Sequence, residues 1–472
     1  MSIPTSFGVA ASGGGGGKGD KSLSLPLAEI FRLAWADSDL RSRLTYVLMM
    51  FAVFALGVHI PVPVPGIDSA AVAESLKGPA FDLLNMFGGG ALRKISIFAL
   101  GLNPYITASI IMQIMQTALP NLKQEMKEGG QYARQKMNKY TRLVALALCF
   151  FQGWGLLQIM RGGASQIAAL PIPTLFIILI FWTAGSMFML WMGEKISENG
   201  IGNGTSLMIF AGIILSLPLQ GERIWQGLQD GIVQYWSVAL VLLIFLAATW
   251  FIVYFTTAQR RIPIQHMRRM VGTKQIGGST SYLPLSVNMA GVLPIIFAVS
   301  LIGLPYQLSI VFGGETKPAG RFLATISSYL QPSNPQPAFP GVSWLEWLPR
   351  GVVGSVLYTI LIFFFTYFWT AIQYNVEDIS DNLKRGGSFI PGIRPGKQTK
   401  EFLDSVISRI TVVGAAFISV IALLQYVAPA VARIDYRYVN VIGGTSLLIM
   451  VSVALETMRQ IEANLLMKKY GQ

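Results

Sequence analysis

Ten stretches of this chain are apolar over about the 20 residues that a helix needs to cross a bilayer. They cover approximately 43–61, 98–117, 142–160, 172–192, 204–219, 236–257, 287–306, 351–373, 408–428 and 438–456. The centre of every stretch lacks Asp, Glu, Lys and Arg; charges such as Arg142, Glu194, Arg409 and Glu456 sit at the ends. Backbone in hydrocarbon must satisfy its own hydrogen bonds, so each run is predicted as a helix. The expected fold is an all-α integral membrane protein of ten transmembrane helices. Composition agrees, with 53% of the 472 residues hydrophobic and 12% charged, against about 25% charged in soluble domains.

Lys and Arg set the predicted orientation. With the first segment in the cytoplasm, 26 of the 36 basic residues fall on the cytoplasmic side, as the positive-inside bias requires. Both termini are then cytoplasmic in a multi-pass plasma-membrane protein. The net charge of +13 describes a basic cytoplasmic face, suited to anionic phospholipid, acidic protein or ribosomal RNA. No signal peptide is visible before the first span, which is expected to be retained. Residues 1–24 form a Gly-rich tail expected to be flexible.

The same residues argue against catalysis and ion coupling. A secondary transporter for a small solute, the rival reading, needs an ionisable group at membrane depth, and none is seen in the span centres. A bundle without a pore, a scaffold or insertase, is the other rival. The two histidines, His59 and His266, lie at a span edge and in a cytoplasmic loop, so neither a protease dyad nor a metal cluster is expected. No cofactor is expected, and no Gly-rich phosphate loop is present. Cys149 stands alone inside a span and reads as apolar filler. What remains is a passive conduit or scaffold driven by a partner.

Four segments break the plain bundle. "FDLLNMFGGGALRKIS", residues 81–96, is amphipathic, glycine-interrupted and too short to span. It is either an interfacial helix or a re-entrant element inside the bundle. "GEKISENGIGNGTSLMIFAGIILSLP", residues 193–218, packs glycines around the entry to a short fifth run, where Ser or Thr after Asn203-Gly204 can cap the helix. Two long basic loops lie on the predicted cytoplasmic side. Residues 258–285 have alternating strand-like patches and a Gly-rich tip, and residues 374–402 are fixed by Pro391, Pro395 and glycines. Their length, charge and rigidity favour a docking platform.

Taken together, "SIFALGLNPYITASIIMQ", "WMGEKISENGIGNGTSLMIF", "RRIPIQ", "YLPLSVNMAGVLPIIFA", "FIPGIRPGKQT" and "GGTSLLI", in this order, resemble the SecY family, the channel subunit of the general protein translocon. The resemblance covers about residues 25–460 and supports the short fifth run as a span. It implies two inverted halves, 25–219 with spans 1–5 and 220–472 with spans 6–10, closing like a clamshell around a central pore. Unfolded secretory chains would pass through the pore, and hydrophobic segments would leave sideways between spans two and seven. The implied partners are SecE, SecG, the SecA ATPase, the ribosome, signal sequences and nascent membrane proteins, with no DNA among them.

By the same resemblance, Leu102, Ile106, Ile209, Ile296 and Ile449 correspond to an apolar pore ring. Leu102 stands where Ile is common, a mild change in shape. Gly101 and Pro104 would let the second span kink and pack closely. Thr107, Gln152 and Asn288 correspond to a polar cluster bridging the lateral gate, each hydrogen bond worth about 0.6–2 kcal/mol. Residues 81–96, including Phe81, Met86, Phe87, Gly88, Gly89 and Gly90, correspond to the plug, a short helix that must swing away. Arg260, Arg261, Arg268, Arg269, Lys384, Arg385, Arg394 and Lys397 correspond to the docking surface for ribosome and SecA. Gly272-Thr273-Lys274 replaces the paired arginines common there, which weakens the expected contact of that loop.

Overall fold

The computed structural model describes residues 27–64, 88–119, 122, 124–125, 129–163, 167, 170–266, 269–271, 274–276, 280–311, 317–332, 336–337, 349–434, 438 and 443–470. Each of the ten expected spans overlaps a helix. After a short leading helix, α1 (Leu27–Ala36), come α2 (Ser38–Val58), α3 (Asn103–Ala118), α4 (Gly130–Gly163), α5 (Ile172–Asn199), α6 (Gly204–Gln229) and α7 (Tyr235–Thr257). The chain continues through β1 (Gln259–His266), β2 (Arg269–Val271), β3 (Lys274–Ile276), β4 (Thr280–Ser286), α8 (Leu293–Val311), α9 (Pro318–Leu330) and α10 (Arg350–Gln373). It ends with α11 (Val376–Arg385), β5 (Ser388–Phe389), α12 (Lys397–Ala432) and α13 (Gly444–Tyr470). Among the described residues, seven helices are long and apolar enough to cross a membrane by themselves, which is consistent with ten spans.

The fifth span is not short. Pro218 and the polar residues after it suggest a stop, yet α6 runs for 26 residues with Pro218 inside it. Its cap is Asn203, rather than the Ser or Thr that follows: Oδ1 of Asn203 accepts from the amides of Thr205 and Ser206 at 3.1 and 3.3 Å. The glycines here serve close packing. A Cβ on Gly204 would overlap the Gly193 carbonyl, and Gly202 takes φ +91. Ser197 Oγ closes the corner, donating to the Gly193 carbonyl at 3.1 Å and accepting from the Gly204 amide at 2.8 Å.

The second span also departs from expectation. Gly101, at φ +59, and Pro104 do not kink a helix; they begin one. Helix α3 starts at Asn103 with Pro104 in its first turn, where proline's missing N–H costs nothing. The segment before it, residues 88–102, is a run of turns and not a short helix. Most of it is buried, and it is tied to the end of α2: Val62 N donates to Ile95 O, Ile97 N to Ile60 O, and Ser96 Oγ to Gly57 O at 3.2 Å. Irregular backbone survives at membrane depth only inside protein or beside water. Residues 88–102 are thus folded into the protein as turns rather than laid on its surface as a helix; residues 81–87 lie outside the described set.

The two basic loops form one unit. β1 pairs antiparallel with β4 from Gln259↔Ser286 to Gln265↔Thr280, as the strand-like patches suggested. Unmarked in the sequence is the pairing of β5, from the other loop, with the far edge of β1. The sheet order is β4-β1-β5. His266 ties all three strands: its Nδ1 lies 2.7 Å from Ser388 Oγ and its Nε2 3.2 Å from Ser281 Oγ. Beneath the sheet, Ile262, Ile264, Leu283, Leu285, Leu403 and Ile407 form their own apolar cluster. Part of the second loop is helical, since Lys384 and Arg385 close α11, where they complement its C-terminal dipole. A further helix, α9, packs on α8 and α10 at the opposite end of the bundle, in a loop for which the sequence offered no assignment.

Charges expected at span ends do pair. Arg142 on α4 holds Glu194 on α5 through two contacts of 2.8 Å, Nε to Oε1 and Nη2 to Oε2. Both side chains are partly exposed, so solvent screens the pair. Arg142→Gln is expected to cost less than about 1 kcal/mol, seen as a shift of at most a few degrees in the thermal melt of the detergent-solubilised protein; a larger loss would mean that the pair is more deeply desolvated than this geometry implies.

Candidate functional site

The five expected ring residues come from α3, α6, α8 and α13 and from the turn before α3. Leu102 precedes α3 and Ile106 lies one turn inside it, the Ile106 amide donating to the Leu102 carbonyl at 3.0 Å. Ile209 comes from α6, Ile296 from α8 and Ile449 from α13. All five are buried, from 1% exposed for Leu102 and Ile449 to 8% for Ile106, and all belong to one apolar cluster. Residues separated by up to 347 positions (from Leu102 to Ile449) thus belong to one large apolar core, which also takes in Phe54, Tyr358 and Phe417.

The glycine segment packs against α6. Gly88, Gly89 and Gly90 are buried. A Cβ on Gly89, whose φ is +65, would stand 3.4 Å from Leu215 Cβ and 3.5 Å from Gly212 Cα, and one on Gly90 would stand 2.9 Å from Leu219 Cδ1. Gly212, Leu215 and Leu219 lie one to three turns along α6 from Ile209, on the side away from the sheet. The expected plug residues Phe81, Met86 and Phe87 lie outside the described residues. Residues 91–98, by contrast, are anchored by their bonds to the end of α2, so a part that moves would have to hinge before Ala91.

A seam closes where α8 packs against α4 and touches α3. Of the three polar residues expected there, Thr107 is buried and donates to its own helix, Oγ1 to the Asn103 carbonyl at 3.1 Å. Gln152 is half-buried on α4. Asn288 is 9% exposed, and neither its Oδ1 nor its Nδ2 has a hydrogen-bond partner. The expected set of bonds across the seam is therefore not made through Asn288 in this state.

The docking residues fall on the sheet-bearing end. Arg260 and Arg261 are exposed on β1, Lys384 and Arg385 at the end of α11, and Arg394 and Lys397 at the start of α12. The Arg394 carbonyl accepts from Thr399 Oγ1 at 2.9 Å, and Lys397 lies 4.0 Å from Glu401. Arg269 belongs to β2; Arg268, Gly272 and Thr273 lie outside the described residues. The sequence marked these cations but missed the strand pairing that aligns them.

Comparison with known proteins agrees with this arrangement. The SecY family profile matches residues 96–458. "Protein translocase subunit SecY" of Escherichia coli K12 is 38% identical over 438 residues, 92% of this chain and 93% of the relative. That of Streptomyces coelicolor is 37% identical over 465 residues, 93% of this chain and 98% of the relative. Among solved structures, one described as "The structure of a protein conducting channel" superposes with a TM-score of 0.63 at 19% identity, covering 90% of this chain and 93% of that one. The channel in "Sec61 in the Canine ribosome-channel complex from the endoplasmic reticulum" superposes at 0.62 and 17%, with the same coverage. A family profile spanning most of the chain, and relatives of matching length at this identity, place it: the chain belongs to the SecY family.

Proposed function

We infer that this chain is the pore-forming subunit of a protein-conducting channel, which passes unfolded secretory proteins across the membrane and releases hydrophobic segments sideways into lipid. The observation behind this reading is the collar. The five aliphatic residues of the expected ring are all buried in one apolar core, and a glycine segment packs on α6, the helix that carries Ile209. Aliphatic groups suit the task. A narrow apolar neck excludes ions by excluding water, and it makes no sequence-specific demand on a passing peptide.

The remaining parts take roles around that neck. Gly88–Gly90 end a plug that seals it from the side away from the sheet. The seam along α8 is the lateral gate, and a hydrophobic segment entering it gains about 0.3–0.6 kcal/mol per Leu or Ile by partitioning into lipid. The sheet-bearing end faces the cytoplasm, and its joined basic loops receive the ribosome or the motor SecA. SecE and SecG complete the complex, anionic phospholipid adjoins the basic face, and the energy comes from the partner, not from catalysis in this chain.

The test is direct. A secretory chain arrested in transit should cross-link to photoreactive side chains placed at Ile106, Ile209 and Ile449, and not to one placed at the lipid-facing Leu243 of α7. Labelling at Leu243 alone would sink the reading. Deleting Phe81–Ala91 should raise ion conductance in a planar bilayer; a scaffold without a pore would show no new current.

A further inference from the structure

The seam closes without hydrogen bonds through Asn288, so another contact must hold it. One lies ten residues, about 15 Å, along α8 from the collar residue Ile296. Tyr306 is half-buried and packs against a second apolar cluster that includes Leu92, Leu156, Leu157, Met160, Ile167 and Trp182. Among the described residues, every other member of that cluster lies between Val62 and Trp182, within the first half of the chain. Tyr306 is the one side chain contributed from beyond residue 219. It follows Pro305, an interior proline of α8, and its carbonyl accepts from Ser309 Oγ at 2.7 Å. Proline withholds one helix hydrogen bond and bends the axis, so Tyr306 sits at the weakest place in the gate helix.

The two ends of the seam are thus unlike. Near the sheet, an amide without partners disfavours the closed state. Away from the sheet, the half-buried Tyr306 packs against an apolar cluster built from residues 62–182. Any sideways opening that draws α8 from α4 must pull this ring out of its apolar surroundings.

We propose that Tyr306 determines specificity at the gate: an aromatic knob whose withdrawal accompanies opening, so that its packing sets how hydrophobic an entering segment must be. This rests on the channel reading. The apolar packing carries the effect, so Tyr306→Leu lowers the threshold partly and Tyr306→Ala lowers it most.

The experiment uses the full chain reconstituted with its partner subunits and motor, and a set of signal sequences whose apolar core gains one Leu at a time. Tyr306→Ala should lower the half-maximal export point by about two to four leucines, with export by the most hydrophobic signals unchanged and the Leu variant falling between Ala and the parent. A midpoint that stays in place or rises would overturn the proposal. So would an equal loss for every signal in both the Ala and Leu variants, which is what a purely structural side chain gives. A parent chain that exports nothing at any hydrophobicity would overturn the channel reading itself, and this proposal with it.

Discussion

Ile296→Asn is expected to make the closed collar leak and to let substrates with defective signal sequences through. Ile296 is 6% exposed in a cluster shared with Leu102, Ile106, Ile209 and Ile449. An amide placed there is buried in an apolar cluster, and an unpaired buried polar group costs about 1–3 kcal/mol. In the open, hydrated neck the same amide meets water. The substitution therefore raises the closed state relative to the open one; a shift of about 2 kcal/mol changes their ratio roughly thirtyfold. Export of a reporter with a crippled signal should rise by about that order, and single-channel recordings should show ion openings that the parent lacks. Unchanged discrimination together with a silent bilayer would remove Ile296 from the collar. Ile296→Val separates the seal from mere bulk, because it trims the same side chain without adding polarity and should keep the seal.

Asn288→Leu is expected to act in the opposite direction. A gate latched by Asn288 would loosen on losing the amide, but here both polar atoms are buried and unbonded in the closed seam. Their desolvation penalty, again about 1–3 kcal/mol, is a strain that opening relieves. Leucine removes it and adds apolar packing, so the closed gate becomes more stable. At about 0.3–0.6 kcal/mol per Leu, a 2 kcal/mol change should require roughly three to six additional leucines in a signal core before half-maximal export. A midpoint that moved toward less hydrophobic signals would restore the latch role for Asn288. With Asn288 resisting closure and Tyr306 favouring it, the double variant Asn288→Leu/Tyr306→Ala should fall near the parent, because the two sites lie at different ends of the seam and distant effects add.

Much of this architecture can be read along the chain. Ten uncharged apolar runs identify the spans, because hydrocarbon leaves a backbone no partner but itself. Basic residues mark the docking loops, and alternation marks the β1–β4 hairpin. The collar residues are legible only through family resemblance, since Ile106 or Ile449 alone looks like any packed aliphatic. Local reading went wrong where a breaker residue has two uses. Pro104 begins a helix that it was expected to bend, Pro218 is carried inside a helix longer than the expected short fifth run, and the glycines around Gly204 serve close approach between α5 and α6 as well as turning.

The membrane environment, the number and placing of the apolar runs and the basic face are written in the chain itself, because each follows from properties summed over neighbouring residues. Folding alone brings β5 to the edge of β1, turns residues 88–102 inward, leaves Asn288 without a partner and packs Tyr306 against a cluster of residues 62–182. Those outcomes depend on which distant groups arrive within hydrogen-bonding or van der Waals reach, at separations such as the 122 residues between His266 and Ser388, and no periodicity along the chain encodes them.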